Sequence, residues 1–340
     1  MDSTRVLRRL EELYAIGDGP GANRVGYSAE EDEAHELARG WMEEAGLEVE
    51  ADAAGNLFGH VPVSDTGTRR IWTGSHLDTV PRGGKFDGAL GVVAAIEAVE
   101  RARRGSVVVF RDEERGCAGS RALVERGRLP DAFLEVHIEQ GPRLADAGAP
   151  LGVVTGVVGV LRGTLVVEGR AGHAGTTPMD VRDDALVKAA ELILRIRETA
   201  ETIEDAVATV GRLTVEPGAV NVIPSRVTIS VDARAPDVDR CQRLIDALGL
   251  EPTYRTAPAQ MDAELREVLR AEIEARGLPA IELVSGAGHD AAVLATAGVP
   301  CAMLFVRSLN GGISHSPDEL SSGEDIALAV DVLAGALSRL

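Results

Sequence analysis

The sequence predicts a two-domain α/β protein in which a mixed-sheet domain is interrupted by a smaller α/β sandwich. Three observations carry this. At 340 residues the chain has room for about two domains at roughly 150 residues each. Up to Phe110, short β-branched runs alternate with amphipathic and Ala/Val-rich stretches, the pattern of a sheet covered by helices. After Gly156 the order becomes β-α-β-β-α, which reads as a split sandwich. The boundaries follow from that change of texture: residues 1–156 and 259–340 form the discontinuous first domain, and residues 157–258 form the inserted one.

Residues 4–15 and 30–46 carry Leu, Ala, Trp and Met at helical spacing with charged faces, and Gly46 stops the second helix. Residues 47–49, 56–61, 70–73 and 106–110 read as short strands, with a helix over 88–103 between the last two. In the insert, 161–167, 207–215 and 227–233 alternate as half-buried strands, while 183–199 and 237–248 are amphipathic helices. Residues 251–258 read as the exit linker. The remainder returns to helix, loop, strand and helix, with 299–305 as a buried strand.

Composition narrows the function. The chain is 45% hydrophobic and has 54 acidic against 35 basic side chains, a net charge of −19 that repels phosphate backbones and anionic lipid. Nucleic acid and membrane are therefore not expected partners, and the charge itself serves as a solubilising surface. Mean hydropathy is +0.02, and the sequence has no run of about 18 apolar residues. The first residues, Met1 to Arg5, lead into a charged helical pattern without an apolar leader, so a cytoplasmic location is expected. Cys117, Cys241 and Cys301 are odd in number and far apart, which argues against both a disulfide framework and a thiolate zinc site.

Histidines and carboxylates carry the chemistry. Residues 73–87, T-G-S-H-L-D-T-V-P-R-G-G-K-F-D, run from a strand into a glycine-punctuated loop presenting His76, Asp78 and Asp87. In parallel or mixed sheets such loops at strand carboxyl ends collect ligands. In an extended segment residues two apart project to the same side, so Asp78 can orient His76. Asp87 can cap the helix that follows, or use its two oxygens to bridge two metals about 3.5–4 Å apart. The triplet Asp112-Glu113-Glu114 ends the run Val107-Val108-Val109-Phe110. It reads either as a solvated acidic patch or as a ligand and a base, because adjacent side chains there point apart. His137 and His315 each follow an apolar segment, and together these groups supply N and O ligands for a divalent cation pair.

The segments G-S-H-L-D-T-V-P-R-G-G-K-F-D-G-A-L-G-V, D-E-E, H-I-E-Q-G-P, G-H-A-G-T-T-P-M, N-V-I-P-S, S-G-A-G-H-D-A and S-H-S-P-D-E span nearly the whole chain. Taken together and in this order, they resemble the dinuclear zinc amidohydrolase branch of the M20 peptidase superfamily. That branch holds N-carbamoyl-L-amino acid hydrolases, β-ureidopropionases and allantoate amidohydrolases. The resemblance implies a metallohydrolase catalytic domain with a lid and dimerisation insert, acting as a homodimer. By it, two divalent ions, zinc first with manganese, cobalt or nickel as alternatives, would be held by His76, Asp87, Glu114, His137 and His315. Asp87 would bridge, Glu113 would be the general base and Asp78 the orienting carboxylate. His173 would stabilise the tetrahedral intermediate, and Gln140, Asn221, Arg234 and His289 would bind substrate. For Arg234 the chemistry agrees, since a guanidinium recognises a carboxylate at two points.

The expected reaction is hydrolysis of an N-carbamoyl-L-amino acid to amino acid, carbon dioxide and ammonia. Allantoate hydrolysis, dipeptide hydrolysis and metal or amino-acid binding without catalysis are the alternatives. After Glu114 the sequence departs from the family's G-S-R-F and longer segment, continuing at once with Arg115-Gly116-Cys117. A surface excursion near the site is deleted there, and this bears on substrate preference.

Overall fold

The computed structural model describes residues 4–62 and 69–340. Met1, Asp2 and Ser3, part of the stretch read for a leader, lie outside the described residues. The chain divides into two compact units, residues 1–157 with 260–340, and residues 158–259.

In the first unit, helix α1 (Thr4–Tyr14) buries Val6, Leu10 and Leu13 at helical spacing. Helix α2 (Ala29–Glu44) starts at Ser28, whose hydroxyl accepts the Glu31 N–H, and has three acidic residues in its first turn facing the positive end of the helix dipole. Strands β1 (Glu48–Ala51), β2 (Leu57–His60), β3 (Ile71–His76), β4 (Ser106–Phe110), β5 (Ala132–Ile138) and β6 (Leu151–Val157) follow. Helix α3 (Ala89–Ala102) lies between β3 and β4 in the chain, α4 (Ala118–Arg126) precedes β5, and the short α5 (Arg143–Asp146) precedes β6.

After the insert come α8 (Ala263–Glu274), β14 (Ile281–Ser285), α9 (Asp290–Thr296), β15 (Cys301–Val306) and α10 (Gly323–Arg339). The sheet runs β1-β2-β4-β3-β5-β15-β6, with β14 also paired to β6. Strands β4, β3, β5 and β15 are mutually parallel, and both outer borders are antiparallel, so the sheet is mixed, as the sequence predicts. Every residue of β3 and β5 is buried, the signature of central strands covered on both faces. Helix α3 is buried nearly all round and packs on both the sheet and α10, which explains its Ala/Val-rich composition.

The parallel register decides where chemistry collects. His76 pairs with Phe110, and Trp72 with Phe133, so the carboxyl ends of β3, β4 and β5 share one edge. The strand ending in the His76 loop is longer than the 70–73 expected, reaching His76 itself. Strand β14 and helix α9 do not stand out in the sequence, because β14 is half-exposed and interrupted by Glu282 and the seven residues of α9 span only about two turns.

The second unit is an antiparallel sheet of β7 (Gly159–Glu168), β9 (Val207–Glu216), β11 (Arg226–Ala235) and β12 (Tyr254–Arg255) in the order β12-β7-β11-β9. A small ladder joins β8 (Gly172–His173) to β10 (Val222–Ile223). Strand β11 alternates strictly, turning Val227, Ile229, Val231, Ala233 and Ala235 inward against α6 (Ala185–Glu201) and α7 (Val238–Leu248). Tyr254 and Arg255, read from sequence as linker, pair with Arg162 and Leu161 of β7. The Arg162 guanidinium lies over the Tyr254 ring at 5.3 Å, a contact that residue spacing cannot announce. The two-residue strand β13 (Ala259–Gln260) leads back to the first unit.

Candidate metal centre

Each donor arrives from a different strand end or loop. His76 closes β3, and Asp78 lies just beyond it with Oδ1 3.2 Å from His76 Nδ1. That contact fixes one ring nitrogen and turns Nε2 toward the centre of the site. Asp78 also does something the sequence did not show: its two oxygens accept the backbone N–H groups of Glu113 and Glu114 at 3.0 and 3.1 Å. The turn after β4 is made by Asp112 in a left-handed conformation (φ 50°), so Asp78 ties the His76 loop to the acidic triplet.

Asp87 precedes α3 but does not cap it. The cap position is Gly88, with no side-chain cap bond, and the Asp87 carboxylate points into the site instead. Gly88 has φ 64°, and a Cβ there would stand 2.4 Å from His76 Cε1, so only glycine lets the helix start against that imidazole. Asp87 Oδ1 lies 3.2 Å from His137 Nε2 and 4.0 Å from His76 Nε2. Its other oxygen, Oδ2, lies 3.3 Å from His315 Nε2, which is itself 3.3 Å from Glu114 Oε2.

Two donor triads therefore share one carboxylate: His76, Asp87 and His137 on one side, and Asp87, Glu114 and His315 on the other. Glu113 stands in neither triad, with Oε2 3.8 Å from His76 Nε2. Gln140 donates from Nε2 to Asp87 Oδ2 at 3.1 Å and to Ser314 Oγ at 3.2 Å. His289 stacks edge-on against His137 with ring centroids 4.5 Å apart, and its Nε2 lies 2.8 Å from Ser285 Oγ. With Glu135 these two imidazoles form a further buried N/O group.

The remaining predicted site residues belong to the second unit. His173 lies on the β8–β10 ladder and Asn221 in the turn just before β10, where Ala174 N–H donates to the Asn221 carbonyl at 3.0 Å. Arg234 is at the far end of β11, its Nε and Nη2 donating to Asp232 at 2.9 and 3.3 Å.

Sequence reasoning assigned no role to Glu319, the last residue of the quoted S-H-S-P-D-E. It is buried, with Oε2 accepting the Phe86 and Asp87 N–H groups at 2.9 and 3.1 Å and Oε1 accepting the Ser314 hydroxyl at 2.9 Å. A carboxylate four residues after a histidine in a polar loop was the available signal.

The electrostatics are those of an imidazole–carboxylate cluster out of water. Burial alone lowers an imidazole pKa, but Glu113, Asp78 and Asp87 outweigh it and hold His76 well above the ordinary value. Asp87 is held well below the carboxylate range, because hydrogen bonds from His137 and His315 override its burial. Burial pushes Glu113 well above the usual range, with Asp290 adding to the rise against the opposing effect of His76. Against the cost of burial, Asp87 and Glu135 push His137 up to about 9. Hydrogen bonds to Asp87 and Glu114 push His315 up to about 10.

Nitrogen and oxygen donors converging in this way, with carboxylates too buried to be stable alone, fit a divalent cation. The same shifts set a pH dependence. Unfolded imidazoles titrate near 6.5, so in the cation-free protein the raised pKa values of His137 and His315 contribute stability that is full below about pH 6.5. That contribution is lost as pH rises through 9 and 10. A bound cation must displace the same protons, so zinc binding near pH 7.5 releases protons and tightens as pH rises. Calorimetry in two buffers of different ionisation enthalpy measures this, and binding with no proton release would contradict the protonation state.

A mixed sheet whose parallel strands deliver imidazoles and carboxylates to one edge defines an α/β protein with a candidate metal centre. The chain belongs to Peptidase family M20/M25/M40, which it matches over residues 72–339. It is 35% identical to the N-carbamoyl-L-amino acid amidohydrolase of Geobacillus stearothermophilus, over 97% of this chain and 96% of that protein. It is 31% identical to the allantoate amidohydrolase of Bacillus subtilis (strain 168), over 99% of this chain and 97% of that one. Among solved structures, an amidase of the hydantoinase/carbamoylase family from Burkholderia multivorans superposes with a TM-score of 0.90 at 29% identity, covering 99% of this chain and 97% of that one. Among the described residues no helix is long and apolar enough to cross a membrane.

Proposed function

We propose that the protein hydrolyses the ureido C–N bond of N-carbamoyl-L-amino acids, yielding the amino acid, carbon dioxide and ammonia. The observation that carries this reading is the shared carboxylate: Asp87 turns one oxygen to each donor triad, while Glu113 faces the same space from outside both. In this reading His76 and His137 would hold one ion and Glu114 and His315 the other, with Asp87 contributing to both. Zinc suits these N/O donors first, and manganese, cobalt or nickel also suit them; when bound, such a pair polarises the substrate carbonyl and acidifies water.

Asp78 keeps His76 in the tautomer whose Nε2 faces inward. Glu113 takes the proton of the attacking water and passes it to the departing nitrogen, and the raised proton affinity conferred by burial suits it to hold that proton between the two steps. His173 donates to the oxygen on which negative charge develops. Gln140 and His289 line the metal centre for substrate, and Arg234 with Asn221 selects the substrate carboxylate, Arg234 exchanging its hold on Asp232 for the ligand.

The insert acts as lid and dimerisation surface. Strand β9 is a ten-residue edge strand, mostly exposed, and α6 beside it exposes Leu186, Val187 and Leu194. An uncovered edge and an apolar stripe of this length favour pairing with a second copy. Moreover, the β8–β10 ladder with His173, and Asn221 just before it, precede the Arg226 end of β11, while Arg234 lies eight residues along that strand, ~26 Å at the usual strand rise. That separation supports a site in which a small substrate takes these groups from two copies. Cys117, Cys241 and Cys301 are buried and unpaired, which supports a reducing, cytoplasmic setting.

The likeness to the Bacillus subtilis enzyme favours allantoate as the second reading. Metal-loaded protein is therefore expected to release ammonia from N-carbamoyl-L-amino acids faster than from allantoate or ureidoglycolate. A chelator abolishes the release, and zinc, manganese or cobalt restores it. A faster allantoate rate would move the assignment to the second reading, and absence of turnover on all three substrates with metal content verified would overturn both.

A further inference from the structure

We propose that Glu319 is a positioning residue that locks the Asp87 and His315 segments together, so that the half-site of Asp87, Glu114 and His315 depends on it for cation affinity. The inference rests on the two-cation reading above. Three backbone N–H groups from two distant segments converge on this buried carboxylate: Phe86 and Asp87 at Oε2, and His315 at Oε1 at 3.3 Å. The Ser314 hydroxyl lies 2.9 Å from Oε1 and 3.1 Å from Asp87 Oδ2, so Glu319 and the shared ligand also meet through one side chain.

The His315 segment needs such a tie. His315 sits in the left-handed region at φ 56°, after Gly311 and Gly312 at φ 76° and 75°. A non-glycine residue stays there only where its surroundings fix it. The His76 and His137 imidazoles, by contrast, are delivered by buried central strands whose ladders already hold them in place. The cradle around Glu319 is close-fitting: a Cβ on Gly84 would stand 2.0 Å from its Cδ.

Because the convergent backbone groups are all donors and occupy both oxygens, a neutral amide of the same shape cannot replace the carboxylate. Whichever way the substituted glutamine turned, its NH₂ would face an N–H. The test is stoichiometric zinc titration of chelator-stripped full-length protein against a chromophoric chelator, for the wild type, Glu319→Gln, His315→Ala and the double variant. Wild type binds two equivalents. Glu319→Gln keeps one at wild-type affinity and weakens the other about 10–100-fold, the usual effect of losing a group that orients a ligand. His315→Ala loses that same equivalent, and the double variant loses no more than His315→Ala alone.

Two equivalents bound by Glu319→Gln at wild-type affinity, or both weakened alike in a folded protein, would overturn the proposal. Fewer than two equivalents on the wild type would instead overturn the two-cation reading and the proposal with it. If Glu319→Gln does not fold, Gly84→Ala decides, since its backbone is not left-handed and the three atoms nearest the added methyl all belong to the Glu319 carboxylate. It is expected to weaken the same single equivalent, and unchanged binding would refute the role of Glu319.

Discussion

Glu113→Gln is expected to lower kcat by about 10³-fold or more while leaving KM and bound metal near wild-type levels. General acid–base groups contribute typically about 10²–10⁴-fold, and Glu113 is asked to act twice, once on the attacking water and once on the leaving nitrogen. It stands outside both donor triads, so the amide removes proton transfer without removing a ligand. Its backbone N–H, held by Asp78, is untouched by the change, and the glutamine side chain fills the same volume. The signature is therefore a kcat effect without a metal effect. Steady-state kinetics paired with metal analysis of the same preparation measures it, and a variant with more than a tenth of wild-type kcat would remove Glu113 from the chemistry.

Asp87→Asn has the opposite signature. Asp87 Oδ1 belongs with His76 and His137, and Oδ2 with His315 and Glu114. An asparagine leaves one oxygen, and its NH₂ group presents a donor to whichever triad it faces, so both equivalents weaken together rather than one. Groups that only orient metal ligands cost about 10–100-fold in affinity, and loss of a shared ligand should exceed that at both sites. Activity falls with metal content and returns only partly in excess zinc. The variant also leaves His137 and His315 without the carboxylate that chiefly raises His137 and contributes most to His315. Retention of one equivalent at wild-type affinity would show that Asp87 serves a single ion and would break the case for a bridged pair.

Much of the fold was legible because it depends on local periodicity. The all-buried Val107 to Phe110 run, the Ala/Val stretch of α3 and the strict alternation of β11 each report their own surroundings. The two residues of β12 and the two turns of α9 give no period to read, and β14, half-exposed and carrying Glu282, lacks the unbroken apolar run that marks β4, so their existence is decided by what packs beside them.

The same division holds at the site. Sequence alone placed His76 and the triplet Asp112-Glu113-Glu114 just beyond hydrophobic strands and His137 in or at the end of one, because each follows a local apolar run. It could not determine that these ends meet, because strand order is a property of the whole sheet: β4, β3 and β5 are neighbours by parallel pairing across crossovers, not by sequence. It left Asp87 open between helix cap and ligand, and only the packed loop turned that carboxylate away from α3. Asp78 as a clamp on two backbone amides and Glu319 as a tie between segments 232 and 233 residues apart belong to the tertiary structure alone. Hydrogen bonds over such separations leave no spacing in the chain, since they form only once burial has brought the donors together and excluded competing water.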